Sequence, residues 1–476
     1  MGSIRLALAV IGAAVLSGCA SVPRNAGFAE VKNTVERRTS SRVHWNQGTP
    51  EDIEVVQAVR SMLEKELTAE DAVQIALLNN SGLQATFEEM GIAQADLVQA
   101  GLLKNPVFSG HVRFPDKSDE GTNTEFSVSQ DFLDLFLRPA RRKLAAAQLE
   151  EAKLQVSAAV LGLAAEVRSA YYTLQGAEQT HRMLATIVQA AQAAVELAER
   201  QHAAGNINDL ALANEQAAFQ QAKLDLTRSE AEVSAERERL NRLLGLETRG
   251  TWKISDRLPD LPAEEFSAQD LEAKALLESL DLAAARQEVL VLEETLALIR
   301  RGVVPSVNVG ADTERDPDGA RVTGPNFEME LPIFDRRQAA LARAEAQLRQ
   351  SRQRLSALET RIRSEVRTAL DRVRISREAV GRYRSTLIPL REKIVAESQK
   401  HYNFMLIGTF QLLQAKRDEV DAYRGYIEVF RDYWNARTDL ERAVNGGLMA
   451  GEMGPRSPAE SAKRREGILH HHGGES

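Results

Sequence analysis

Cys19 is the only cysteine in the chain, and its neighbours decide what its thiol could do. It follows Leu16-Ser17-Gly18, which end an apolar run that begins at Leu6 behind Arg5. Residues 1–18 read as a secretory leader, too short and too soon interrupted for a stable transmembrane helix. A small residue directly before the cysteine matches the bacterial lipobox, in which the cysteine is acylated and becomes the mature N-terminus. With no second cysteine, no intrachain disulfide can form. Ala20 rather than Asp follows Cys19, so nothing marks the chain for the inner membrane. The expected location is the outer membrane of a Gram-negative cell, with a lipid anchor.

Other chemistry is sparse. His470-His471-His472 could bind a transition metal, but they lie in a Gly/Pro/charged tail expected to be disordered. His181 and His202 hold a heptad phase, which suits helix packing or a lumen wall better than a ligand role. No nucleophile, phosphate loop or metal-ligand spacing supports catalysis, so no enzyme activity, metal site or cofactor is expected. The net charge of -8, with Lys and Arg interleaved with Glu, gives no case for nucleic acid.

The elements that carry these residues are long. From about Ala140 to His202, apolar residues recur every seven at Val160, Val167, Leu174, Val188 and Val195. A second row lies four residues earlier, from Val156 to Ala198, and together the rows argue for a coiled-coil helix. Its length would be about 90 Å at 1.5 Å per residue. The pattern returns about 200 residues later at Val366, Val373, Val380, Leu387 and Ile394, with Pro389 expected to kink the helix near its end. An aromatic content of 5% suits such helices better than a large mixed core.

Before each long helix the period changes to two. Phe108, Gly110, Val112 and Phe114 share one face, as do Phe126, Val128 and Phe132; Ser109, His111, Arg113, Glu125 and Asp131 lie opposite. In the second half Val303, Pro305, Val307, Val309 and Ala311 alternate with Ser306, Asn308 and Asp312, and Pro325 to Ile333 alternate with Asn326, Glu328 and Glu330. Strands of about ten residues are long enough to cross a bilayer at a tilt. A free strand edge in lipid costs several kcal/mol per unpaired group. Four strands cannot close a barrel, so several chains would have to share one.

This gives a leader over 1–18, a lead-in over 19–67 and a first repeat over 68–245 with a hairpin at 105–133. A bridge over 246–267, a second repeat over 268–445 with a hairpin at 303–333, and a disordered tail over 446–476 follow. The lead-in is expected to be irregular up to Thr49-Pro50. One unbroken helix is expected from Thr68 to about Leu103 and another from Ala268 to Arg300. Asn208 or Asp209 and Thr409 are candidate N-caps of the returning helices.

The order helix, hairpin, long helix, turn and returning helix, given twice behind a lipobox, resembles the TolC-like outer-membrane efflux proteins, including their lipoprotein members. The resemblance covers about 68 to 445. It implies a mainly α fold with a small β part: a homotrimer whose four strands per protomer form a 12-stranded transmembrane β-barrel above a periplasmic α-barrel. It implies a passive exit duct coupled to a periplasmic adaptor and an inner-membrane pump.

The family's tip motif maps onto Gly205, Asn206, Ile207 and Asn208 in the first repeat. In the second it maps onto Met405, Leu406, Ile407, Gly408 and Thr409. Met405 stands where glycine is usual, and a glycine moved to Gly408 would alter the docking geometry. The periplasmic gate of the family falls on Tyr402, Gln411 and Gln414, with Ile407 at the place of a gate arginine. The alternatives are a structural coiled-coil envelope lipoprotein and a metal-binding envelope protein.

Overall fold

The computed structural model describes residues 21–25, 27–114, 121–247, 252–265, 270–302 and 307–445. Cys19 and its leader, the His470–His472 tract with its tail, and the stretch 303–306 lie outside the described residues. The chain forms two compact units, one from Met1–Thr34, Ala85–Ser157 and Leu282–Glu359, the other from Val35–Gln84, Ala158–Asp281 and Thr360–Ser476.

The lead-in is more ordered than its polar composition suggests. Helix α1 spans Phe28–Thr39 and α2 spans Pro50–Leu63. Both Val31 and Val35 of α1 are buried, one turn apart. Phe28 meets Phe87 edge to face at 5.3 Å between centroids. The expectation of an irregular chain up to Thr49 is thus corrected: two apolar residues on one helix face outweigh the polar surroundings. A short strand β1, Glu66–Leu67, pairs in parallel with β4, Lys253–Ile254.

The helix expected from Thr68 to Leu103 is two helices, α3 (Ala69–Asn79) and α4 (Ser81–Gly101). Thr68 caps α3 by accepting from the Asp71 N–H while Asp71 reaches back, a reciprocal box. At Asn80 the backbone turns extended, ψ 114°. The break is fixed by the amides of Asn79 and Asn80, which donate to the carbonyls of Leu244, Gly245 and Leu243 at 2.9 Å each. Those carbonyls are the orphan acceptors at the end of a later helix, α6, Asp209–Leu244. The second repeat breaks alike: α7 (Leu271–Glu278) and α8 (Leu280–Arg301) meet at Ser279, ψ 115°.

Within the first unit, β2 (Val107–Arg113), β3 (Asn123–Asp131), β5 (Val307–Arg315) and β6 (Arg321–Met329) form one antiparallel sheet in the order β2-β3-β5-β6. The register pairs Phe108 with Val128, Gly110 with Phe126, Val309 with Phe327 and Val307 with Met329. All apolar alternates therefore lie on one face. That face is bare in the single chain: Phe108 is 68% and Phe327 77% exposed. The other face carries Ser109 hydrogen-bonded to Ser127 (2.7 Å), Arg113 paired with Glu125 (3.1 Å) and Asn123 donating to Glu314 (2.7 Å). Among the described residues no strand lies beside the outer edges of β2 and β6. In the same unit, Leu292 and Leu296 of α8 pack on Ala344 and Leu348 of α9 (Gln338–Arg382).

Helix α5 runs unbroken over Leu133–Ala203, with Pro139 inside it. Its heptad rows are buried at Val156, Val160, Val167, Leu174, Leu184, Val195 and Ala198. The second long helix is interrupted. After α9 comes a single π turn, Tyr383–Leu387, then α10 (Ile388–Asn403) with Pro389 at its start, and after the tip α11 (Thr409–Asn445). Pro389 has no N–H to give, and the wider turn before it absorbs the lost bond. The heptad row of this helix is buried as far as Val380, then emerges: Leu387 is 37%, Leu390 51% and Ile394 45% exposed. Helix α10 has no buried residue.

Candidate functional site

The chain reverses at two tips, and the local chemistry of each can be followed atom by atom. Helix α5 ends when Gly205 enters the left-handed region, φ +74°. Its N–H then reaches the His202 carbonyl and the Asn206 N–H reaches the Gln201 carbonyl, both at 2.8 Å. This is the two-bond Schellman closure, which satisfies the last carbonyls of the helix. Asn208, not Asp209, caps α6, its side-chain oxygen accepting from the Ala211 N–H at 2.9 Å. Asp209 instead meets His202 at 2.6 Å across the turn.

The second tip repeats this geometry with other residues. Met405 takes φ +58°, and its N–H reaches the Tyr402 carbonyl while the Leu406 N–H reaches that of His401, both at 2.9 Å. Gly408 is not in the left-handed region and does not replace the missing glycine. The two turns therefore share one backbone; Met405 takes up the strain, a non-glycine residue at positive φ costing roughly 1–2 kcal/mol. Thr409 is the first helical residue rather than the cap. Gln411 does the capping, its Oε1 accepting from the Gly408 N–H at 2.7 Å.

The surfaces of the tips differ. Around Met405, which is 93% exposed, Phe404, Leu406 and Phe410 also lie open to solvent. The first tip offers Ala204, Gly205, Asn206, Asn208 and the exposed Leu210 there. Ile207 is half-buried in the first tip and Ile407 in the second. The first tip is thus smaller and more polar, with one exposed leucine, and the second is apolar and bulky.

Of the gate residues, Tyr402 is half-buried beside the turn. Gln411 is engaged in capping, and Gln414 donates to Asp418 at 2.8 Å. Asp418 also accepts from Arg391 of α10 at 2.7 Å, and the Tyr423 hydroxyl donates to Glu392. These four residues clamp α10 to α11, and the sequence reading missed them. Their signal was available: in an antiparallel helix pair, residues equidistant from the turn face each other. The Glu392 carboxylate holding its hydroxyl, together with burial, pushes Tyr423 up to about 12. Burial raises Glu419, and the nearby Glu392 raises it further against the opposing Lys416. His181 lies within 2.9 Å of the Ser229 hydroxyl, a helix-packing contact. Among the described residues no group of His, Cys, Asp and Glu is arranged to hold a metal ion, and no helix is long and apolar enough to cross a membrane.

The cobalt-zinc-cadmium resistance protein CzcC of Cupriavidus metallidurans is 24% identical over 388 residues, which cover 79% of this chain and 90% of that protein. The same fold is found in crystal structures of CusC (TM-score 0.67, 18% identity, 80% of this chain and 93% of that one). It is found again in the CmeC outer membrane channel of Campylobacter jejuni (TM-score 0.69, 16% identity, 84% and 89%). The pattern of outer membrane efflux proteins matches the chain twice, over residues 72–246 and 271–446, one match for each helical hairpin. By this doubled match across most of its length, the chain belongs to the outer membrane efflux protein family.

Proposed function

We propose that the chain is the exit duct of a tripartite exporter, working as a homotrimer without catalysis. The observation that carries this reading is the 4-stranded sheet with one bare apolar face and two free edges. Three such sheets joined edge to edge close a 12-stranded barrel. Its apolar face then meets lipid and its Ser, Arg and Glu face lines water. Cys19, acylated, anchors each protomer in the outer membrane.

The two tips dock a periplasmic adaptor that couples the duct to an inner-membrane pump. Gly205, Asn206, Ile207 and Asn208 form one contact, and Met405, Leu406, Ile407, Gly408 and Thr409 the other. Tyr402, Gln411 and Gln414 line the periplasmic constriction. Neutral glutamines make that constriction weakly charge-selective, so the pump chooses the cargo. The likeness to CzcC supports divalent transition-metal cations as that cargo.

The test is the native mass of the protein extracted from outer membranes in mild detergent. Three chains are expected, and a stable monomer would overturn the reading because four strands cannot close in lipid. Cells lacking the chain should become sensitive to zinc, cobalt and cadmium; sensitivity to lipophilic drugs alone would move the cargo to another class.

A further inference from the structure

The two ends of the 4-stranded sheet differ in charge. At one end lie the loops within the hairpins, where Asp116, Asp119 and Glu120 outweigh Lys117. At the other end β3 and β6 lead into the long helices α5 and α9. There the chain reads Leu135-Phe136-Leu137-Arg138, with Arg141, Arg142 and Lys143 following and no acid before Glu150. The second repeat reads Ile333-Phe334-Asp335-Arg336-Arg337, with Arg343 following and no further acid before Glu345. Both repeats thus place apolar residues and then arginines at the same end of one sheet.

The apolar part continues the bare face of that sheet. Phe132 keeps the parity of Phe126 and Val128, and its N–H still reaches the Val307 carbonyl at 3.0 Å. Leu331 keeps the parity of Phe327 and Met329. Just beyond them Phe136 is 76% and Phe334 92% exposed. Amphipathic rims of a membrane span gather aromatic rings where hydrocarbon gives way to headgroups.

The basic part is only partly taken up by the fold. Lys143 pairs with Glu294 of α8 at 2.8 Å. Arg337, at φ +60°, turns its guanidinium into the space that Gly302 leaves at the end of α8. Arg138, Arg142, Arg336 and Arg343, by contrast, have no carboxylate partner among the described residues. Nor do they serve the helix dipoles: a helix start favours acids, and the first turn of α9 has none. Leu135, Arg138 and Arg142 are spaced i, i+3 and i+7, so they share one face of α5. At 1.5 Å per residue, Arg138 and Arg142 lie roughly 3 and 9 Å beyond Phe136 along the helix. The headgroup layer is about 5–8 Å deep, within reach of long arginine side chains.

We infer that Arg138, Arg142, Arg336 and Arg343 form a phosphate-binding rim at the helix end of the barrel, which takes anionic phospholipid from the adjoining leaflet and fixes the depth at which the barrel sits. A guanidinium fork matches phosphate oxygens with two parallel bonds. Cations beside an anionic leaflet gain further attraction, which salt screens. The rim rests on the duct reading, because it requires the apolar face of the sheet to meet lipid.

Native mass spectrometry of the full chain, purified from outer membranes in mild detergent and titrated with phosphatidylglycerol or with phosphatidylcholine of the same acyl chains, tests the rim. The parent should hold phosphatidylglycerol roughly tenfold more tightly, and the preference should shrink as salt is added. Arg142→Gln and Arg343→Gln alter exposed side chains. Each should weaken phosphatidylglycerol binding roughly fivefold, the equivalent of about 1 kcal/mol per cation. Arg354→Gln, at an exposed arginine further along α9, should leave it unchanged. Equal binding of the two lipids by the parent, or parent-like binding by both rim variants, would overturn the rim while leaving the duct intact. Displacement of the lipid by millimolar inorganic phosphate would make this a free-anion site and overturn the rim as well. A parent chain that is monomeric and does not insert into bilayers would overturn the duct and the rim with it.

Discussion

The two tip turns share one backbone and almost no side chains. Gly205 and Met405 sit at the same point of the same pair of closing bonds, one residue without strain and the other with it. The closing bonds therefore set the turn, and the residue type sets only its cost. A third left-handed cap, Gly245 at φ +70°, ends α6 and completes the comparison. An added Cβ at Gly205 meets open space, whereas at Gly245 it would lie 2.4 Å from the Asn79 carbonyl oxygen.

The largest effect should therefore come from Gly245→Ala. It adds left-handed strain to a backbone clash, roughly 3 kcal/mol together, and it disturbs the carbonyls that hold Asn79 and Asn80. Amide exchange at the α3–α4 break should accelerate by a hundredfold or so. Exchange equal to that of Gly205→Ala would show that packing adds nothing to the strain. Gly205→Val comes next, at about 2 kcal/mol, since a β-branched residue at positive φ is a genuine outlier. The barrel should still insert, but copurification with the adaptor should fall; undiminished export would remove the first tip from the docking surface. Met405→Gly should act in the opposite direction. Relief of about 1–2 kcal/mol is partly offset by the greater freedom of glycine in the unfolded chain, leaving a gain near 0.5 kcal/mol in turn protection. Slower exchange with weaker adaptor binding would divide the roles of Met405 into backbone cost and apolar contact.

Periodic features were legible because a period is a property of neighbours in sequence. The heptads of α5 and the alternation of Phe108, Val128, Val309 and Phe327 are local patterns, and each names the face that seeks apolar company. The breaks at Asn80 and Ser279 were not legible. At Asn80 the cause lies with carbonyls more than 160 residues away, and no local propensity reports that. Helix α1 escaped because its buried face is only Val31 and Val35 within a polar run. At the tips the motif positions could be read, but not the conformation of Met405. A left-handed methionine is disfavoured locally and is imposed by the helix ends it joins. The bridge over 246–267 carries no period, and the side chains that hold it, Gln175, Arg377 and Trp434, lie far along the chain.

The hairpins also differ in charge near their tips, which yields the smallest expected effect. Burial raises both Glu215 of α6 and Glu419 of α11. Lys416 and Arg417 oppose the rise at Glu215, while at Glu419 the like charge of Glu392 adds to it and only Lys416 opposes. A carboxyl whose folded pKa is raised makes the folded state the tighter proton binder. Its ionisation then costs stability, fully above the folded pKa and not at all below the unfolded value near 4.5. Glu419→Gln removes that cost, so it should raise the thermal midpoint at pH 7, and the gain should vanish as the pH falls below 4.5. Glu215→Gln should gain less, because it also removes the partner of two cations. Equal gains from the two variants would mean that burial alone sets these carboxyls; a larger gain at Glu419 assigns the excess to Glu392, the same carboxylate that holds Tyr423 and ties α10 to α11.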